Sequence, residues 1–106
     1  MIQVDFNGRV HFIFDHPSEK QVYLVGDFND WNEHSHPLHQ INGHWELDLQ
    51  LPPGEYEFKY LVGKLWYNDY AAHKYVPNVW GDENSVVNVN GNGGQKKILK
   101  SSLSST

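Results

Sequence analysis

The sequence predicts an all-β chain folded as two packed antiparallel sheets, and three observations predict it. Apolar and polar residues alternate with period two through segment after segment. Tight-turn residues separate those segments at short intervals. Helix-period apolar spacing is sustained nowhere. Composition agrees, with 14% aromatic residues and 9 glycines in a 106-residue chain.

Taken in order, Ile2, Val4 and Phe6 alternate with polar residues, as do Val10, Phe12 and Phe14. Asn7-Gly8 between them predicts a hairpin with a tight turn. His16-Pro17-Ser18 breaks the second strand. The next runs from Gln21 to Phe28, with Val22 and Leu24 on one face and Tyr23 and Val25 on the other. Asn29 to Gln40 is polar and reads as a loop anchored by Leu38. Trp45, Leu47, Leu49 and Leu51 alternate with Glu46, Asp48 and Gln50, a strand with one buried face. Pro52-Pro53-Gly54 makes a turn.

Tyr56, Phe58 and Tyr60 then point inward, which sends Lys59 to the opposite face. Gly63-Lys64 turns the chain into a return strand, Leu65 to Asn68. Asp69 to Asp82 reads as a long connection, and Val86, Val87 and Val89 as a last strand. Six or seven short strands with regular turn signals specify an immunoglobulin-like antiparallel β-sandwich. Residues 1–90 form the sandwich domain on this reading, and residues 91–106, mostly Gly, Lys and Ser, form a flexible C-terminal tail.

Several function classes are excluded or disfavoured by composition. A net charge of -5 opposes nucleic-acid binding, which needs clustered Lys and Arg. Lys96, Lys97 and Lys100 do cluster, within the tail. With Ile98, Leu99 and Leu103 they allow a short docking helix as the alternative to a flexible tail. No run of about 18 apolar residues is present, so no membrane helix is expected. The N-terminus carries no secretory leader pattern, which makes the cytoplasm the expected compartment. Without cysteine there is neither a disulfide nor a thiolate. No cofactor motif occurs.

The functional signal lies in the 4 tryptophans. Trp45 is in register with three leucines and reads as core. Trp31, in Asp27-Phe28-Asn29-Asp30-Trp31-Asn32, Trp66 after the Gly63-Lys64 turn, and Trp80 before Gly81 are flanked by polar and turn residues. Exposed rings of this kind mark a binding surface. An aromatic ring packs against the C–H face of a pyranose, while neighbouring polar groups meet its hydroxyls. Trp31 and Trp66 with Lys59 and Asn84 supply both parts. The competing reading packs Trp31 and Trp66 on each other at one end of the sandwich.

Val22-Tyr23-Leu24-Val25-Gly26-Asp27-Phe28-Asn29-Asp30-Trp31 resembles the opening signature of the family 48 carbohydrate-binding modules. Leu51-Pro52-Pro53-Gly54-Glu55-Tyr56-Glu57-Phe58-Lys59-Tyr60-Leu61-Val62, followed by Trp66 and Asp69, is similar to the middle signature. Asn84-Ser85-Val86-Val87-Asn88-Val89 is similar to its close. The resemblance covers about Val10 to Val89 and implies an early-set sandwich that binds α-glucan without catalysis. It implies that Trp31, Lys59, Trp66 and Asn84 are carbohydrate-binding positions. Trp80 stands where the kinase-type members carry an inserting leucine, and would add a third platform or close one end. The resemblance also implies a partner, a glucan-metabolising enzyme or a kinase. The alternative function is a structural or protein-interaction module docked on such a partner.

Two further constellations are weaker. His34, His36 and His39 beside Glu33 are spaced along one polar loop, and coil spacing does not converge three imidazoles on a metal. Asp27, Asp30 and Glu33 invite comparison with a glycosidase carboxylate pair, which must face across a sugar at about 5–10 Å in a walled site. A chain of 106 residues has little material for such walls, so neither metal binding nor catalysis is expected.

Overall fold

The computed structural model describes residues 1–90. Period-two alternation explains its layers. In the first sheet β1 (Ile2–Val4), β2 (Arg9–Phe14), β5 (His44–Gln50) and β4 (His39–Ile41) pair antiparallel in the order β1-β2-β5-β4. The second has β3 (Val22–Gly26), β6 (Gly54–Val62), β9 (Glu83–Val89) and β8 (Lys74–Pro77), in the order β3-β6-β9-β8. A short strand, β7 (Leu65–Tyr67), also pairs with β6. The two sheets form the predicted antiparallel sandwich. No helix among the described residues is long and apolar enough to cross a membrane.

Inward-facing residues of both sheets make one core, led by Val10, Phe12, Phe14, Leu24, Phe58, Tyr60 and Val87. Phe14 stacks on Tyr60 with ring centroids 4.3 Å apart, and Phe12 meets Phe58 edge-on at 5.2 Å. Truncating one such ring would cost about 3–5 kcal/mol of stability. Tyr60 buries its hydroxyl and donates it to Asp69 Oδ2 at 2.6 Å. Burial, together with the adjacent carboxylate, raises its pKa well above the ordinary phenol value. Trp45 and Leu38 are buried as expected.

β6 is the long strand that organises the second sheet. One edge pairs with β3 from Phe58 to Val62. The other is divided: β9 pairs with residues 54–58, and β7 with residues 60–62. Lys59 lies at the joint between the two.

Three departures from expectation have plain causes. Phe6, predicted to continue the first strand's buried face, is 92% exposed. The strand ends at Val4 because Asp5 Oδ1 accepts the backbone N–H groups of Asn7 and Arg9 and starts the turn early. Gly8 completes that turn at φ 83°, and a Cβ there would sit 2.6 Å from the Leu51 carbonyl oxygen. The segment predicted as a loop through Gln40 contains β4, formed by His39, Gln40 and Ile41, all exposed. Asn42 and Gly43, both at positive φ, form the tight turn from β4 into β5. The long connection after Asp69 contains β8, an edge strand ending in Pro77. Polar edge strands with proline hide from hydrophobic patterning. The predicted tail, residues 91–106 with Lys96, Lys97 and Lys100, lies outside the described residues.

Candidate functional site

The outer face of the second sheet carries the candidate site. Alternation on β6 turns Tyr56, Phe58 and Tyr60 to the core and leaves Glu57 and Lys59 facing outward. Asn84 lies across from Lys59, one step beyond the Phe58–Ser85 pair in the β6–β9 register. The structure places both in the floor of the candidate site, at 5% and 8% exposure.

A buried ammonium must be paired. Lys59 Nζ donates to Asp82 Oδ2 at 2.9 Å and to the Glu83 carbonyl oxygen at 2.7 Å. That hydrogen bond, with the Glu83 backbone and the lysine charge, holds the Asp82 carboxyl below the usual carboxylate range. Asn84 is tied on both sides. Its Nδ2 donates to Glu57 Oε1 at 3.0 Å, and its Oδ1 accepts Asn78 Nδ2 at 3.0 Å.

Three tryptophans surround this floor, and each arrives differently. Trp31 follows the 3-10 turn Asp27–Asn29, and Asp30 and Trp31 both adopt left-handed backbone, at φ 55° and 57°. Non-glycine residues pay for that conformation in strain. Here the Trp31 N–H donates to the Gly26 carbonyl at 2.9 Å, and the indole Nε1 donates to Asp27 Oδ1 at 3.0 Å. Asp27 Oδ2 in turn accepts the Glu57 backbone N–H at 2.8 Å, which fastens the ring to β6. Gly26 lets the turn lie against that strand, since a Cβ would come within 2.8 Å of Phe58 Cβ and 2.9 Å of Phe28.

Trp66 sits mid-strand in β7 opposite Leu61 and is 42% exposed. Trp80 occupies the tip of the β8–β9 connection and is 87% exposed. The Asn78 side chain shapes that tip. Its Oδ1 accepts the Trp80 and Asp82 backbone N–H groups at 2.9 and 3.1 Å.

Trp31, Lys59, Trp66, Trp80 and Asn84 all line one open groove of about 890 Å³. The five residues singled out from sequence therefore come together. Sequence reasoning missed Glu57, Pro77, Asn78, Val79 and Asp82, which line it as well, and considered Glu33 only for a metal or a carboxylate pair. Glu57 had a usable signal, its two-residue spacing from Lys59 on one strand face. Asn78, Val79 and Asp82 had none, because their placement depends on how the loop closes.

The weighed alternatives also find places. His34 packs edge-on against Tyr23, His36 bonds to Asn29, and His39 lies in the first sheet. No metal-ligating cluster occurs among the described residues. Asp27 bonds to the Trp31 indole and the Glu57 backbone, so its two oxygens serve structure.

Chemically, the groove offers apolar ring faces around a hydrogen-bonded polar floor. The chain matches the family model described as the glycogen recognition site of AMP-activated protein kinase over residues 9–94. The 5'-AMP-activated protein kinase subunit beta-1 of Sus scrofa is 34% identical over 70 residues, covering 66% of this chain and 55% of the relative. Protein FLOURY ENDOSPERM 6, chloroplastic, of Oryza sativa subsp. japonica is 32% identical over 80 residues, 76% of this chain and 15% of the relative. The 1,4-alpha-glucan-branching enzyme of Dictyostelium discoideum is 59% identical over 32 residues, 29% of this chain and 5% of the relative. The matched stretch is thus about half of the first relative and a small part of the other two. The family match spans every strand from β2 to β9, and the chain belongs to the carbohydrate-binding module family of the glycogen recognition site of AMP-activated protein kinase.

Proposed function

We propose that the groove binds α-1,4-linked glucan chains, with residues 1–90 as the binding unit. One observation carries this reading: Trp31, Trp66 and Trp80, from three separate stretches of chain, surround a single groove with a polar floor. Trp31 and Trp66 stack on the C–H faces of successive glucose rings, and curvature of the chain lets one strand of glucan meet both. Lys59 has three ammonium hydrogens and two committed bonds, which leaves one donor for a sugar hydroxyl. Asn84 offers its remaining lone pair and hydrogen in the same way. Trp80 acts as an exposed arm that folds onto the chain or stops it at one end.

The module carries out no reaction on the glucan. Two of the three groove carboxylates are engaged, Asp82 with Lys59 and Glu57 with Asn84, and the third, Glu33, lies exposed on the rim. A domain that holds a polymer without changing it acts by bringing something else there. A glucan-metabolising enzyme or a kinase is the partner this reading favours, and the cytoplasm its location.

Two stacking platforms, offset by the entropy of association, correspond to a dissociation constant on the order of 10 μM to 1 mM. Calorimetry with maltoheptaose, β-cyclodextrin and cellohexaose tests the proposal. Saturable heat is expected with the two α-linked ligands and not with the β-linked one. Trp66→Ala should abolish most of it while the fold is kept. Equal binding by a folded Trp66→Ala variant would refute this site, and silence with every ligand would move the rings to a protein interface.

A further inference from the structure

The charge around the groove is lopsided in a way that stacking does not require. Glu33, Glu57 and Asp82 line it with carboxylates, and Lys59 is the one cation among its described lining residues. That lysine is buried and already bonded to Asp82 and to the Glu83 carbonyl. Lys20 and Lys64 flank the Gly63 turn and line a separate depression.

We infer that the groove selects its glucan by charge, accepting unmodified chains and rejecting chains that carry a phosphate monoester in the stretch held between Trp31 and Trp66. The inference rests on the glucan reading above. Sugar hydroxyls are donors as well as acceptors, so a carboxylate rim serves them, and a hydrogen bond to an ionised acceptor is stronger than a neutral one. A phosphate monoester reverses the balance. It brings a charge of about -1.5 to -2 and three acceptor oxygens. Those oxygens would meet carboxylates that cannot donate, over a floor whose ammonium is already neutralised. The repulsion acts across a partly solvated groove and weakens with salt.

The test uses the full 106-residue chain and two ligands. One is maltoheptaose, and the other is maltoheptaose with a phosphate ester on an internal primary hydroxyl. At low ionic strength the phosphorylated chain should bind about tenfold more weakly, and the gap should shrink to about threefold at high salt, where the screening length is a few ångströms. Glu33→Gln, on the exposed rim, should narrow the gap at low salt. Equal or tighter binding of the phosphorylated chain overturns the inference. So does a gap that neither salt nor Glu33→Gln changes, which would mean steric exclusion. Absence of binding by unmodified maltoheptaose would instead overturn the glucan reading itself, and this one with it.

Discussion

On the outer face of the first sheet, His11 lies between two carboxylates, with Nε2 2.8 Å from Glu46 and Nδ1 bonded to Asp48. Arg9 adds a looser contact to Asp48 at 3.8 Å. On the outer face of the second sheet, Lys59 also meets a carboxylate, but its ammonium is buried in the floor of a groove lined by three tryptophans, while Asp82 faces solvent. Both faces come from the same alternation on a central strand, β2 in one sheet and β6 in the other. The first spends its outward positions on cross-strand charge pairs that solvent screens. The second sinks its charge and lets neighbouring segments bring rings over it. On the proposed reading, a sheet face becomes a ligand surface here through what its connections deliver. The strand supplies a floor.

Substitutions on the two faces should therefore differ in what they change. Among substitutions of the polar residues, Lys59→Met should have the largest effect on ligand. It keeps the aliphatic stem and removes the ammonium, and loss of one charged hydrogen bond to a sugar would weaken glucan binding by about tenfold. Stability should fall by only about 1 kcal/mol. Asn68 Nδ2 still donates to the Glu83 carbonyl at 3.0 Å, and Asp82 faces solvent. Calorimetry beside chemical denaturation measures both. Unchanged affinity would show that Lys59 serves the sheet alone and would erase the contrast between the faces.

Asn78→Ala sharpens the role of connections. It removes the acceptor for the Trp80 and Asp82 N–H groups and the donor to Asn84. Affinity should fall about three- to tenfold, in line with the loss of a positioning network. Most of that loss should vanish in a Trp80→Ala background if the side chain acts through the arm. An equal loss in both backgrounds would shift the role of Asn78 to the floor.

The smallest expected effect lies on the opposite face. The hydrogen bond to Asp48 raises the His11 pKa, against partial burial, with help from the Asp48 charge and from Glu46. A raised folded-state pKa stabilises fully below the unfolded value of about 6.5 and is lost as pH rises through the folded one. The difference in Tm between wild type and His11→Gln should be larger near pH 5 than near pH 8.5, and modest because the site is partly solvated. Glucan affinity of His11→Gln should match wild type at both pH values. A pH-independent Tm difference would mean the imidazole contributes packing alone.

Much of this architecture is legible in the sequence because burial imposes a period. The alternation of Tyr56, Phe58 and Tyr60 sends Lys59 outward before any coordinates exist, and Trp31, Trp66 and Trp80 stand out by their polar neighbours. What stays hidden follows from the same logic. β4 and β8 lie at sheet edges, where polar side chains are tolerated and the period fades. Phe6 misleads because alternation does not record where Asp5 begins the turn. The pairing of Lys59 with Asp82 spans 23 positions and depends on a loop closed by the Asn78 side chain, so no local pattern announces it.

The joint on β6 has a consequence for how such a module diversifies. Between Phe58 and Tyr60 one edge of the strand passes from β9 to β7, and Lys59 sits where neither ladder claims it. A break of that kind works as a socket. Residues can be added to or removed from the segments on either side of it while Phe12, Phe58, Tyr60 and Val87 keep their packing. On the proposed reading of the groove, ligand preference can then drift by loop exchange at nearly constant stability, and grafting residues 78–82 from a relative is the direct way to test it.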